Sequence, residues 1–307
     1  MTTLAPSSDY TSSAATQGNK KTFVANLRTF IADLFGTDST KATARTVLGV
    51  STVKDFDGFI MSTAGSSATM TIGAGEAMDA ANTDLIVLTS SIAKTTGAWV
   101  VGTGNGGKAE AGAVANNTWY HFYAIKRPDT GVEDVCFSTS PPATGLTAAS
   151  YVAGGGNVPA AYTQYRWVGS GLTNGSAHWV KFIQNGDHWT WDSPNSTDIY
   201  VTDQSTLPIL RTLPTPLGIK ALAKLSGYVS HTSAAVQVKL YDPALGAQTL
   251  AGGHHTALVP SPSGYGGYSC EEVMTNTSSQ IYSVASAATT TLLGSVVGYT
   301  IRRGRDA

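Results

Sequence analysis

The stretch His178-Trp179-Val180-Lys181-Phe182-Ile183-Gln184-Asn185-Gly186-Asp187-His188-Trp189-Thr190-Trp191 decides the fold. Aromatic and β-branched residues run up to an Asn-Gly dipeptide and resume after it, and both positions of that dipeptide tolerate positive φ. The spacing predicts a β-hairpin with its two-residue turn at Asn185-Gly186. Residues 192–195, with Pro194, then break the sheet and mark a domain boundary.

On either side the same period continues. Upstream, runs at 59–61, 69–72, 85–88, 119–126 and 132–137 read as strands between Gly, Asn, Pro and Ser clusters. Downstream, strands are expected at 199–202, 218–230, 235–240, 270–274, 280–284 and 290–301. The region of Pro208, Pro214 and Pro216 and the stretch 252–267 read as loops. Many short strands between turn signals favour antiparallel sandwiches over a parallel sheet. The expectation is two antiparallel β-sandwich domains, 55–195 and 196–307, without a fixed-period repeat.

The first fifty residues differ. Residues 1–19 read as a flexible polar leader. From Lys20 onward Phe23, Val24, Leu27, Phe30, Ile31, Leu34 and Phe35 recur at three- and four-residue steps, and Gly36 ends the helix. Val24, Leu27, Ile31 and Leu34 occupy a and d positions of two heptads, too few for a coiled coil unaided. The stripe must pack on something: its own body, copies of itself, or a partner. A second short helix carries Ala42, Ala44, Val47 and Leu48 and closes at Gly49. Residues 20–52 are therefore read as a helical anchoring segment, with Phe23, Val24, Leu27, Phe30, Ile31 and Leu34 as its contact residues. The expected fold class is mainly β, with a short N-terminal helical anchor.

Composition narrows the function. Charged residues are 13% of the chain against 42% hydrophobic, and the net charge is −1. Such a chain folds rather than staying disordered, and it lacks the basic face that nucleic acid demands. Ser and Thr hydroxyls, or faces buried between subunits, must supply solubility. No signal-like segment opens the chain, and no apolar run of about 18 residues could span a bilayer, so folding in a cytoplasm and no membrane insertion are expected. Cys136 and Cys270 are read as two buried free thiols.

Chemistry-bearing motifs are sparse. The Gly-rich stretch 102–107 does not open a helix after a strand, so it reads as a β–β loop rather than a phosphate cradle. His254-His255 would splay in a strand and make no chelate. Glu133-Asp134 and Glu271-Glu272 splay likewise, whereas glycoside hydrolysis needs carboxylates converging across about 5–10 Å. No nucleophile elbow or zinc spacing occurs. No catalytic residue, metal or cofactor is expected. Aromatics are the stronger candidates. Trp119, Tyr120, Phe122 and Tyr123, then Tyr162, Tyr165 and Trp167, then Trp179, Trp189 and Trp191 should point half inward, leaving the rest for subunit packing or sugar stacking. Tyr265 and Tyr268, between Gly264, Gly266 and Gly267, are expected in a display loop.

Three stretches together resemble tail-fibre and tail-appendage proteins of tailed bacteriophages. The first is Leu27-Arg28-Thr29-Phe30-Ile31-Ala32-Asp33-Leu34-Phe35-Gly36, followed by Ala44-Arg45-Thr46-Val47-Leu48-Gly49-Val50. The second comprises Trp99-Val100-Val101-Gly102-Thr103-Gly104-Asn105-Gly106-Gly107, Trp119-Tyr120-His121, Tyr165-Arg166-Trp167-Val168-Gly169-Ser170 and Phe182-Ile183-Gln184-Asn185-Gly186-Asp187, in that order. The third is the ending Gly298-Tyr299-Thr300-Ile301-Arg302-Arg303-Gly304-Arg305-Asp306-Ala307. The resemblance implies a homotrimeric virion protein, assembled in the bacterial host cytoplasm. It would be held through residues 20–52 by another tail or baseplate protein and exposed at its C-terminal end. On that footing Tyr265, Tyr268, Arg302 and Arg303 are the candidate contacts to a host-surface glycan or protein. A head or neck fibre, a capsid decoration protein and a glycan-degrading tailspike are the competing readings.

Overall fold

Alternating aromatic and β-branched residues form strands from Phe56 to Thr300. The computed structural model describes residues 56–250, 256–260 and 264–304, the Cys270 side chain excepted, together with residues 26, 27 and 29. Of the expected anchor contacts only Leu27 falls among them, in helical conformation beside Asn26 and Thr29. Phe23, Val24, Phe30, Ile31 and Leu34 lie outside the described residues, as do His254 and His255.

Among the described residues twenty strands follow one another: β1 (Phe56–Gly58), β2 (Met61–Ser62), β3 (Thr69–Ile72), β4 (Gly75–Met78), β5 (Leu85–Leu88), β6 (Ile92–Ala98), β7 (Gly106–Lys108), β8 (Trp119–Lys126), β9 (Glu133–Ser138), β10 (Gln164–Leu172), β11 (Phe182–Asn185), β12 (His188–Trp191), β13 (Ile199–Gln204), β14 (Ile209–Thr212), β15 (Leu222–His231), β16 (Val236–Tyr241), β17 (Ala257–Val259), β18 (Gly264–Met274), β19 (Gln280–Ala285) and β20 (Thr290–Thr300). They make four sheets. β1-β4-β5 is the smallest, and β10-β8-β9-β7-β6-β3-β2 the largest. β11-β12-β20-β15-β18, with β13 also on β20, and β14-β19-β16-β17 complete the body.

The hairpin forms, one residue out of the expected phase. Asn185 pairs with His188, so the two turn residues are Gly186 and Asp187. Gly186 takes φ +58° while Asp187 is not left-handed. Glycine thus holds the first central position, where a two-residue II′ loop places it. The hairpin also bonds elsewhere than expected: β12 pairs with the last strand, Trp189 opposite Tyr299. Backbone hydrogen bonding therefore crosses the expected division at 195/196.

Other differences have local causes. The Gly-rich stretch expected as a loop contributes Gly106 and Gly107 to β7, which runs parallel to both β6 and β9, so the largest sheet is mixed rather than antiparallel. A Cβ on Gly107 would stand 2.8 Å from Lys94 Cβ and from the Phe137 ring, and only glycine lets this strand sit there. Residues 252–267 are not all loop, because β17 and the start of β18 fall within them.

Alternation predicts that β8 buries half its aromatics, yet it buries them all, from Trp119 to Tyr123. It lies between β10 and β9 with both faces covered. β10 carries a bulge between Trp167 and Gly169. Gly169 follows it where Met61 Sδ would approach an added Cβ to 2.4 Å. One contiguous core runs from Phe59 to Ile301 through both halves, and every one of the six tryptophans is buried.

Candidate surface-contact site

Several titratable groups of the body are tied into structure. Glu133 and Asp134 point apart: Glu133 accepts from Val87 N, and Asp134 pairs with Lys94 at 2.8 Å, both side chains fully buried. Lys94 Nζ also donates to the carbonyls of Val100 and Gly102, and Gly102 N donates to Asp134. The pair thus holds the 100–105 loop closed, and burial pulls the Lys94 ammonium below the usual lysine value against the opposing pull of Asp134. Glu272 pairs with Lys224 at 3.2 Å. Cys136 is a buried free thiol, pushed well up by burial. No cluster of three or more His, Cys, Asp or Glu side chains suited to a metal ion occurs among the described residues. No helix among them is long and apolar enough to cross a membrane.

The expected contact residues separate. Tyr265 is 74% exposed. Tyr268 is buried, its hydroxyl donating to Leu293 O at 2.9 Å, and burial raises its phenol. Both lie in β18 rather than in a loop, where alternation sends them to opposite faces. Arg302 is exposed. Arg303 is buried: its Nη1 donates to Gly58 O and Phe59 O at 3.0 Å, its Nε lies 3.4 Å from Asp187, and its guanidinium covers the rings of Phe56 and Trp189. Burial lowers its pKa. Tyr268 and Arg303 therefore brace the interior. The buried tryptophans likewise offer no sugar platform.

What Tyr265 joins instead is a row of rings on the outer face of the six-stranded sheet. Register places Tyr200 of β13 opposite Leu293 of β20, and Leu293 opposite Tyr228 of β15. Tyr228 faces Gly267 of β18, and the bare glycine leaves room for Tyr265, whose ring meets Tyr228 edge-on at 5.7 Å. Tyr200 is 61% exposed. Four strands at about 4.8 Å spacing give the row a length of roughly 14 Å. Ser230 opposite Thr291 flanks it on one side and Ser226 opposite Ser295 on the other. On the same face of β15, Lys224 pairs with Glu272 of β18.

No family model, curated protein or solved structure matches this chain. Sequence reasoning misses Tyr200, Tyr228 and Leu293. Alternation with buried Val229 does place Tyr228 outward, but only strand order brings the three together.

Proposed function

We propose that this chain is a structural protein of a tailed-bacteriophage particle, an appendage held by its N-terminal segment that touches the host surface without cutting it. Each half is read as a β-sandwich and the particle form as a homotrimer, with residues 20–52 gripping another tail or baseplate protein. The N-terminal and C-terminal sequence stretches described above support the class. The observation that carries the contact role is the row of Tyr200, Tyr228 and Tyr265, flat rings set among hydroxyls on an outward sheet face. Rings so placed suit the faces of sugar residues, and three copies per appendage would add avidity to weak single contacts.

The test is adsorption by the full-length protein. Binding to host cells and competition with the particle are expected. The triple substitution Tyr200→Ala, Tyr228→Ala, Tyr265→Ala should weaken binding more than about tenfold, or about 1.4 kcal/mol, with the thermal midpoint little changed. Absence of binding by the folded wild-type protein would transfer receptor contact to another protein of the particle. One observation favours the second reading, a compact decoration or neck protein: Arg303, just past the last described strand, bonds back to Gly58 at the first.

A further inference from the structure

The chain holds three Asn-Gly pairs, Asn105-Gly106, Asn174-Gly175 and Asn185-Gly186, alike in covalent chemistry and unlike in setting. In such a pair the glycine amide nitrogen can attack the asparagine side-chain carbonyl carbon, because glycine has no Cβ to crowd the approach. The attack needs an amide side chain free to turn, a glycine N–H not engaged elsewhere, and water for the second step.

Two of the pairs are restrained. Asn105 Nδ2 donates to Val101 O at 2.7 Å. Asn174 Oδ1 accepts from Ser176 N at 2.9 Å and His178 N at 3.1 Å, which fixes its rotamer inside a turn. Asn185 differs in the freedom of its side chain. Its side chain is exposed and has no hydrogen-bond partner among the described residues. It sits where the hairpin turns, and Gly186 N donates to no acceptor among the described residues. Beside it opens a cavity of about 480 Å³ lined by Phe56, Asp57, Asp187, His188 and Arg303.

We propose that Asn185 is a self-modifying site. Gly186 N loses its proton and bonds to Asn185 Cγ, the bond from Cγ to the side-chain nitrogen breaks, and ammonia leaves. Water then opens the five-membered imide at either carbonyl, leaving aspartate or isoaspartate at 185. Asparagine and one water become the acid and one ammonia, with nothing oxidised or reduced. The product adds a carboxylate to the cavity that already holds Asp57 and Asp187 beside Arg303, the residue joining the start of the body to its tail. The isoaspartyl form also lengthens the backbone by one atom at the residue paired with His188.

The experiment uses purified full-length protein incubated in neutral and mildly alkaline buffer, with peptide mapping by mass spectrometry over time. In the native state Asn185 should convert at least about tenfold faster than Asn105 or Asn174, a barrier difference of about 1.4 kcal/mol, and faster at the higher pH. In denaturant the three sites should converge in rate. An acidic species should accumulate on anion exchange and be absent from Asn185→Gln. The proposal is overturned if native Asn185 stays amidated as long as the other two, or if Asn185→Gln accumulates the same acidic species at the same rate.

Discussion

Tyr123 and Tyr299 carry the same hydroxyl into the same interior and should answer its removal in opposite ways. The Tyr123 hydroxyl donates to Ser140 O at 2.7 Å. The Tyr299 hydroxyl is buried without a protein partner, as are the indole nitrogens of its neighbours Trp189 and Trp191. Burial raises both phenols far above the usual value. A buried hydrogen bond contributes about 1 kcal/mol net, while an unpaired buried hydroxyl carries its desolvation cost uncompensated. Tyr123→Phe should therefore destabilise by about 1 kcal/mol, and Tyr299→Phe should be neutral or stabilising by up to about 1 kcal/mol, read from urea midpoints at constant slope. The Tyr299 ring would stay, since its stacking on Trp189 at 5.6 Å and edge contact with Trp119 need no hydroxyl.

Among the elements, β18 and β20 show where strand glycines act as sockets. A Cβ on Gly294 would lie 2.6 Å from the Tyr268 hydroxyl, and one on Gly227 2.7 Å from it. Gly294→Ala should cost about 1–3 kcal/mol, and about half or more of that should vanish when Tyr268→Phe removes the clashing oxygen, a coupling that a double-mutant cycle measures. The same glycines explain what the sequence conceals. β8 and the β11–β12 hairpin are legible because their aromatic and β-branched residues favour strand locally. The start of β18, Gly264-Tyr265-Gly266-Gly267, reads as a loop because its glycines answer to neighbours distant in sequence: Leu258 O would stand 2.1 Å from a Cβ on Gly266. For the same reason the sequence misplaces Tyr268 and hides Tyr228. Period-two alternation states which residues share a face, but not which strands lie side by side. Arg303 reads as surface charge because its acceptors, Gly58 O and Phe59 O, are backbone atoms that no pattern of side chains reveals.

Over the whole molecule, with 19 basic and 20 acidic residues in 307, few groups govern the response to pH. His121 is buried beside Ser170, its Nδ1 2.9 Å from the hydroxyl, and burial pulls its pKa from 6.5 down to about 4. Between those values the unfolded chain binds a proton that the folded chain refuses, so stability is full above about pH 6.5 and falls as pH drops toward about 4. The loss amounts to about 3 kcal/mol. Glu133 and Asp198, both raised by burial, act in the opposite sense nearer the carboxylate range. The His121 loss should therefore be cleanest between about pH 6.5 and 5, seen as a falling urea midpoint that His121→Gln flattens.

The meeting of Arg303 with Gly58 and Phe59, reinforced by Arg166 bonding to both Asp79 O and Gly304 O, puts both ends of the described body at one pole. The body is then a loop closed by side chains rather than a rod with a base and a tip. Phe56, which opens that body, and Gly304, which closes it, lie side by side, a Cβ on Gly304 standing 2.6 Å from the Phe56 ring. Force pulling these two ends apart would load the clasp and the paired length of β20 together, so the last strand is restrained at both ends against being peeled away.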